Sequence, residues 1–363
     1  MTLAATLSTQ DHAPGQADAG EVAAALGAKK FFWLDLDVGG PGADDAVALL
    51  RDTFKFHPLA VEDSQHFGQR PHIEDYDDYL HLVVYGAMPP ASGPSPASAP
   101  SAPSAPSAST TSNSTGASDD SSQEFVQEVH IFVAASYVVT VHRGACTPLA
   151  TVHDRIARHP HSETDASPHV VLLYLVVDSL TDSFFPILSD FDDRIDDLAS
   201  AILVRPTDEQ LATIFAMKRE LLAIRKVVGP QRDMFAGIIS GVTRLPGMTS
   251  EDERYFRDLY DHLIRIGDMV DGYRDLVSGA MDTHLSTVSN RLNVVMKQLA
   301  IIATIFLPLS FLTGFFGQNF SWLVTHLGGL PTFVGVGIGL EVVAVALLFI
   351  LFKRRGWLGG PTA

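Results

Sequence analysis

The sequence predicts an α+β membrane protein, in which an N-terminal α/β domain is followed by long helices and by two C-terminal membrane spans. Three observations favour this class. Eighteen uncharged residues run from Leu299 to Phe316, a second run from Pro331 to Phe352 is interrupted only by Glu341, and strand-like and helical segments precede both. At about 1.5 Å per residue, each run can cross the roughly 30 Å hydrocarbon core of a bilayer. Buried helices of a soluble core are the alternative for both runs.

Charge is distributed unevenly over the 363 residues. The net charge is -17, but the part from Val294 onwards has four bases and one acid and carries +3, so residues 1–293 carry -20. A strongly acidic body disfavours nucleic acid as a partner, because phosphates require Lys and Arg, and it favours cations. The single cysteine, Cys146, excludes an intramolecular disulfide and a multi-cysteine zinc site.

The first twenty residues contain no Lys, no Arg and no long apolar run, so we expect a disordered tail at 1–20 rather than a signal peptide. Residues 21–165 are predicted to form the α/β domain. Its strands are expected at 31–37, at 79–87 and at 124–143, the last as two strands meeting near Ala134, and a helix is expected from Asp44 to Phe54. Residues 89–122 are rich in Pro, Ser and Ala and are predicted to be a disordered insertion in a hairpin connection.

Helical patterns fill the rest of the chain. Residues 166–248 are predicted to be a helical region, with helices over roughly 168–203 and 207–240. No proline occurs between Pro246 and Pro308, so we expect one helix of roughly 65 residues over 249–317, with its membrane part at about 297–316.

An external loop at 318–330, a second span at 331–352 and a basic tail at 353–363 complete the predicted organisation. Lys297 precedes the first span, and Lys353, Arg354 and Arg355 follow the second. The positive-inside rule therefore places both termini in the cytoplasm and the protein in the cell membrane.

Two stripes run along the predicted long helix. One is a heptad seam of apolar residues, typical of a coiled coil: Phe256, Leu259, Leu263, Ile266, Val270, Tyr273 and Val277. The other begins with aspartates every seven residues, at Asp261, Asp268, Asp275 and Asp282, and continues through Ser286, Ser289, Asn293, Met296, Leu299, Ala303, Leu307, Ser310 and Gly314. Around an axis of several copies, this second stripe would give an acidic, then polar, then apolar lining, which is a recognised channel design. The solvated face of a coiled coil is the alternative for the aspartates.

These residues also resemble a known family. The segment SNRLNVVMKQLAIIATIFLPLSFLTGFFGQNF (289–320), followed by a second span and KRRGW, is similar to the CorA metal ion transporter family. HPLAVED (57–63), RPHIEDYDDYLHLVV (70–84) and YFRDLYDHLIRIGDMVDGYRDLVSG (255–279) extend the resemblance over nearly the whole chain. It implies a homopentameric funnel with cytoplasmic α/β domains and a pore lined by the first membrane helix. Family members move Mg²⁺, often Co²⁺ or Ni²⁺, and in one branch Zn²⁺.

The resemblance also implies site residues. Gly317, Gln318 and Asn319 match the Gly-Met-Asn signature at the pore mouth, where the asparagine ring meets the hydrated ion. Gln318 departs from the family's Met, which leaves the choice of ion open. Asp258 matches a stalk carboxylate that binds regulatory Mg²⁺. The family's partner carboxylate lies just after the strand that ends near Tyr85, where this chain has Met88, Pro89 and Pro90. Three alternatives follow: the site is shifted, uses other carboxylates or is absent. Pore-facing positions of the family fall on the residues from Asn293 to Gly314 given above, and the candidate regulatory carboxylates are Asp258, Asp261, Asp268 and Asp275.

We therefore expect a divalent-cation channel driven by the membrane potential, which supplies about 4.6 kcal/mol for two charges at 100 mV. Mg²⁺ would be both cargo and regulator, and the partners would be further copies of the chain and the bilayer. No organic cofactor and no enzyme activity are expected, because the chain has no phosphate-binding Gly-rich motif and no nucleophile constellation. Two alternatives remain: a proton-coupled zinc transporter, indicated by Gln318 and Glu341, and a membrane-anchored acidic enzyme or sensor. The 14 histidines show no metal-ligand spacing.

Overall fold

The computed structural model describes residues 4–9, 12–28, 30–88, 125–158, 167–318, 321–326 and 329–357. The insertion predicted at 89–122 lies outside these residues. The chain divides into two units. The N-terminal body comprises Met1–Ala201 and Thr207–Met281, and the C-terminal unit comprises Ile202–Pro206 and Asp282–Ala363.

One seven-stranded sheet forms the centre of the N-terminal body, in the order β2-β1-β3-β7-β6-β5-β4. Strands β3 and β7 are parallel, and every other neighbouring pair is antiparallel. The strands expected from the sequence at 31–37, 79–87 and 124–143 are confirmed. The strand bounds are β1 Ala5–Thr9, β2 His12–Gln16, β3 Phe32–Asp37, β4 His72–Asp75, β5 Leu80–Ala87, β6 Val126–Ala134 and β7 Tyr137–His142.

The prediction of a disordered tail at residues 1–20 is wrong. β1 and β2 form a hairpin on the edge of the sheet, and β1 pairs antiparallel with β3. Helix α1 (Ala19–Gly27) follows, with a capping box in which Asp18 and Glu21 accept from each other's backbone N–H groups. The sequence pattern missed these strands because each has only five residues, and of β1 only Ala5 and Leu7 bring apolar side chains to the core.

Helices cover both faces of the sheet. On one face, a core of aromatic and aliphatic side chains includes Phe32, Phe56 and Phe132, packed with residues of α1 to α3. On the other face, the Ser183 hydroxyl accepts from the Ala87 N–H at 2.7 Å. The helices of the body before the long helix are α2 Ala43–Ala48, a π-helical turn Leu49–Thr53, α3 Pro58–Asp63, α4 Thr147–Arg158, α5 Pro168–Asp182, α6 Phe184–Val204 and α7 Asp208–Ile239.

A buried polar network joins the parallel strands. Asp35 on β3 is opposite Thr140 on β7 and accepts from its hydroxyl. His153 of α4 and His142 of β7 place ring nitrogens 3.1 and 3.4 Å from the Asp35 carboxylate. Burial alone would raise the pKa of Asp35, but the hydrogen bonds from His142 and His153 hold it well below its usual range. The network keeps this buried charge fully paired.

The predicted helix of roughly 65 residues is confirmed as α8, Glu253–Phe316, with 64 residues. Within the described residues, three helical segments are long and apolar enough to cross a membrane: Pro168–Val204, Glu253–Phe316 and Leu330–Arg354. In the first, 44% of the apolar window is buried, whereas the windows of the other two are 0% buried. The first segment therefore owes its apolar character to packing, and the other two do not fit the alternative of buried core helices. After α8 come α9 Ser321–His326, α10 Leu330–Thr332, a π-helical segment Phe333–Ile338 and α11 Gly339–Arg354.

The heptad seam of α8 is buried, but within one chain. Every predicted seam residue except Tyr273 is 0% exposed, and Tyr273 is half-buried. The Phe256 ring lies 6.2 Å from that of Phe235 on α7. The seam thus packs against the chain's own helices and not against a second copy.

Candidate functional site

The residues predicted to line an ion pathway are exposed on α8. Met296, Leu299 and Leu307 expose 68%, 65% and 73% of their surface. Large apolar side chains that the described chain leaves uncovered require contact with lipid or with another protein. The remaining members of the predicted stripe are also exposed: Asp261, Asp268, Asp275, Asp282, Ser286, Ser289, Asn293, Ala303, Ser310 and Gly314.

A second stripe identifies the side of α8 that faces the C-terminal unit itself. Its residues are half-buried, and each lies two positions along the sequence from a member of the predicted lining. Ile305, for example, lies two positions from both Ala303 and Leu307. Two residues correspond to about 200° of helical rotation, so the two stripes lie on nearly opposite sides. The predicted lining therefore faces away from the covered side of its helix. The half-buried residues are Ile301, Ile305, Pro308, Leu309, Leu312 and Phe316.

Glu341 of α11 interacts with α8. Its Oε1 accepts a hydrogen bond from the Thr313 hydroxyl at 2.9 Å. Glu341 is thus a hydrogen-bonded residue that faces the first apolar helix. A charged or polar group in an apolar segment is costly unless it is paired in this way.

The end of α8 coincides with the predicted pore mouth. The Gly317 N–H donates to the Thr313 carbonyl at 2.9 Å, and the Gln318 N–H donates to the Phe315 carbonyl at 3.3 Å. These bonds satisfy carbonyls of the last helical turn. Gly317 and Gln318 are exposed, and Asn319 lies outside the described residues.

Asp258, the predicted regulatory carboxylate, belongs to a cluster between α8 and α5. Asp178, Asp258 and His262 each offer one ligand atom, and these atoms lie within 4.8 Å of one another. His262 Nδ1 lies 3.5 Å from Asp178 and 3.4 Å from Asp182, and the Tyr174 hydroxyl donates to Asp258 at 3.0 Å. Carboxylates and an imidazole in this arrangement can bind a divalent cation.

Burial and repulsion between neighbouring carboxylates disfavour the charged forms of Asp178 and Asp182. Burial and the neighbouring Asp182 raise the pKa of Asp178 to about 6, while His262 opposes the shift. Burial likewise raises the pKa of Asp182. A bound dication would favour the ionised form of both groups and relieve this repulsion.

The sequence analysis missed Asp178, Asp182, His262 and Tyr174. A signal was present, because Asp178 and Asp182 are separated by four residues, as are Asp258 and His262, so each pair lies on one side of its helix. Without the packing of α5 on α8, nothing showed that the two pairs meet. The other candidate carboxylates, Asp261, Asp268 and Asp275, are exposed and do not belong to this cluster.

Comparisons with known proteins identify the family of the chain. Residues 109–354 match the model of the family described as CorA-like Mg²⁺ transporter protein. The cobalt/magnesium transport protein CorA of Thermotoga maritima is 31% identical over 326 residues, covering 89% of this chain and 83% of that protein. The zinc transport protein ZntB of Yersinia pseudotuberculosis is 28% identical over 185 residues, 50% of this chain and 53% of that protein.

The fold is also that of a solved structure. The complete structure of the CorA magnesium transporter from Methanocaldococcus jannaschii superposes with a TM-score of 0.75 at 20% identity, covering 99% of this chain and 100% of the other. At this identity the match concerns the fold alone. The family match covers more than half of the chain, and the Thermotoga protein is 31% identical over most of its length. The chain therefore belongs to the CorA family of metal ion transporters.

Proposed function

We propose that the chain assembles as a homopentamer of two-span subunits and passes Mg²⁺ into the cell down the membrane potential. The observation that carries this proposal is the exposed lining stripe of α8, which lies opposite the side that its own unit covers. Five such helices around an axis would bury the apolar part of the stripe and surround a narrow path. The Thermotoga relative is named a cobalt/magnesium transport protein, which supports Mg²⁺ as cargo.

In this proposal the ion first meets a ring of Asn319 carboxamides beside Gly317 and Gln318. Carboxamide oxygens can hydrogen-bond the water shell of Mg²⁺, which dehydrates reluctantly. Met296, Leu299 and Leu307 then form an apolar constriction about 16 Å long. A hydrated dication cannot pass such a dry segment, because nothing there replaces its water shell. Transport therefore requires that the constriction widens and fills with water.

Internal Mg²⁺ would control this widening. The cytoplasmic ends of the five stalk helices bring together carboxylates at Asp258, Asp261, Asp268 and Asp275, and like charges repel when no cation is bound. Mg²⁺ at Asp258, with Asp178 as a further ligand, would hold the stalks together and keep the constriction closed. Loss of internal Mg²⁺ would let the stalks separate and open the path.

A flux assay tests this function directly. The purified chain is reconstituted in liposomes with an inside-negative potential, and entry of Mg²⁺, Co²⁺ and Zn²⁺ is compared at two internal Mg²⁺ levels. We expect Mg²⁺ entry that requires no ATP, rises with the potential and falls at high internal Mg²⁺. Absence of entry under every condition would contradict the proposal.

A proton-coupled zinc transporter is the second candidate. The ZntB relative is named a zinc transport protein, and Gln318 departs from the family's Met at the mouth. Glu341 is the one acid in the second apolar segment and hydrogen-bonds Thr313. If protons drive transport, Zn²⁺ entry must follow an imposed pH gradient and must lose this response in Glu341→Gln. Entry that depends on the potential alone favours the channel.

A further inference from the structure

A second group of metal-binding side chains lies in the N-terminal body, away from the proposed ion pathway. Asp63, His72 and His81 each offer one ligand atom, and these atoms lie within 4.8 Å of one another. Neighbouring donors of a tetrahedral zinc ion lie about 3.4 Å apart, so the group needs only a small closure to bind one. The three residues lie at the end of α3, at the start of β4 and on β5.

Strand pairing brings the two histidines to one face of the sheet. His72 on β4 is opposite Val83 on β5, two residues from His81. Val83 is in turn opposite His130 on β6. Side chains two residues apart on a strand share a face, so His72, His81 and His130 all lie on the same side.

His81 has a free nitrogen in a buried position. The side chain is 0% exposed, and its Nδ1 has no hydrogen-bond partner among the described residues. Its other nitrogen, Nε2, lies 3.2 Å from His130 Nδ1, and His130 Nε2 lies 3.1 Å from the Glu128 carboxylate. A buried polar atom without a partner requires an explanation, and an ion or a water molecule is the usual one.

The contacts between the side chains of Glu128, His130 and His81 determine which ring nitrogens carry a proton. His130 Nε2 lies near the Glu128 carboxylate without making a hydrogen bond, and the negative charge favours a proton on this nitrogen. His130 Nδ1 then accepts from the Nε2–H of His81. His81 Nδ1 then carries a lone pair and no proton. Burial lowers the pKa of His81 to about 3, so the ring is neutral at physiological pH, as a metal ligand must be.

The other two side chains are oriented and accessible. His72 Nδ1 lies 2.7 Å from the Arg70 carbonyl, which holds the proton on Nδ1 and leaves Nε2 free to bind. Asp63 accepts from the Gln69 amide at 3.2 Å. Both His72 and Asp63 are half-buried, so an ion can enter from solvent.

We propose that Asp63, His72 and His81 bind a transition-metal dication of the Zn²⁺, Co²⁺ or Ni²⁺ class. Two imidazole nitrogens and one carboxylate suit these ions, whereas Mg²⁺ prefers oxygen ligands alone and keeps several waters. Three protein ligands leave a fourth position for water. The proposal goes beyond the transport function and does not rest on it.

The test measures binding to the full-length chain in detergent micelles. The protein is stripped with a chelator, and Zn²⁺ is titrated in a large excess of Mg²⁺, which occupies the oxygen-ligated sites without competing for imidazole. Bound Zn²⁺ is counted by elemental analysis, and Co²⁺ absorption reports nitrogen ligands. His72→Gln and Asp63→Asn are compared with the parent. His66→Gln is the matched control, because His66 is an exposed histidine whose ring Nδ1 lies 3.0 Å from the Glu62 carbonyl.

We expect the parent and His66→Gln to bind one Zn²⁺ per chain. His72→Gln should not bind this Zn²⁺, and Asp63→Asn should bind it with at least tenfold lower affinity. The His262→Gln variant removes the imidazole of the Asp258 cluster and is expected to keep this ion. Zn²⁺ should raise the thermal midpoint of the parent but not that of His72→Gln. The thermal unfolding transition of His72→Gln itself shows that this variant is folded and has lost only the ligand. Equal Zn²⁺ content in the parent and His72→Gln, or no Zn²⁺ in the parent, would overturn the proposal. A water molecule would then be the explanation for the unpartnered Nδ1 of His81.

Discussion

At the scale of single residues, Leu299 tests where the barrier to ions lies. It is 65% exposed on α8 and belongs to the proposed constriction. A polar side chain at this position would hydrate the dry segment, and each 1.4 kcal/mol removed from the barrier raises the flux about tenfold. We therefore expect Leu299→Asn to leak Mg²⁺ into liposomes at high internal Mg²⁺, by a factor of roughly ten or more.

Val294→Asn is the matched control for this leak. Val294 is also exposed, at 52%, but lies about 200° around the helix from Met296 and so away from the proposed lining. The control should close normally at high internal Mg²⁺. A Leu299→Asn variant that stays as Mg²⁺-sensitive as the parent would show that the barrier lies elsewhere.

The pore mouth gives a second prediction at this scale. If Asn319 forms the ring that binds the hydrated ion, Asn319→Ala should reduce Mg²⁺ entry to the background level without changing the size of the assembly. Gln318→Met should retain Mg²⁺ entry, because it restores the signature to which the sequence is similar. Both variants are measured by flux in liposomes and by mass in detergent, and normal entry through Asn319→Ala would remove the assignment.

Asp178 links cation binding to pH. Its pKa is raised to about 6, so the folded body binds a proton there more tightly than the unfolded chain does. This contribution to stability is full below about pH 4 and is lost as pH rises through about 6, where the ionised group requires a cation. Mg²⁺ should therefore raise the thermal midpoint of the parent at about pH 7.5 and raise it less at about pH 5.

Asp178→Asn removes the carboxyl whose pKa is raised to about 6 and should reduce the difference between the two pH values, although the pKa of Asp182 is also raised. Asp193→Asn changes an exposed acid of α6 and should retain it. A Mg²⁺ response of equal size at both pH values in the parent would show that Asp178 does not take part in binding.

At the scale of elements, the buried seam of α8 contributes to the stability of the single chain and not to contacts between copies. Leu263 is 0% exposed within a single chain, so Leu263→Ala should cost about 2–5 kcal/mol of stability through the lost contacts and the cavity. Leu276 on the same helix is 52% exposed, and Leu276→Ala should cost less than about 0.5 kcal/mol. Thermal unfolding of the body in detergent measures both. Similar midpoints for the two variants would show that a neighbouring copy, and not the chain itself, covers the seam.

The same helix shows what sequence alone can predict. Periodicity identified α8, its buried face and the exposed Asp stripe, because those features depend on spacing along one helix. It did not identify what covers the seam, because the packing of α5 to α7 depends on the tertiary fold. For the same reason it missed the meeting of Asp178 with Asp258, and that of His72 with His81, which lie on different elements. The β1–β2 hairpin was missed because each of its strands has only five residues, and of β1 only Ala5 and Leu7 bring apolar side chains to the core.

At the scale of the whole molecule, two surfaces of a single chain remain exposed in the C-terminal unit. Lipid can cover the outward apolar residues of α8 and α11, such as Phe306 and Val342. It offers no hydrogen-bond partner to Ser310, the polar member of the lining stripe within the membrane part of α8. Further copies around an axis, as proposed above, would cover both surfaces.

The proposed homopentamer predicts a mass that can be measured. A homopentamer of 39.2 kDa chains has a mass of about 196 kDa, excluding detergent. We expect this mass by light scattering with detergent correction, and we expect it to persist in Leu263→Ala, because the seam is internal to each chain. Introducing charge into the lining should act differently, since Ser289→Asp adds five like charges at one level of the axis and should weaken the assembly at low salt. Mg²⁺ should restore it. A stable monomer of the parent would contradict both the pentamer and the pathway, because the lining stripe would then have no partner.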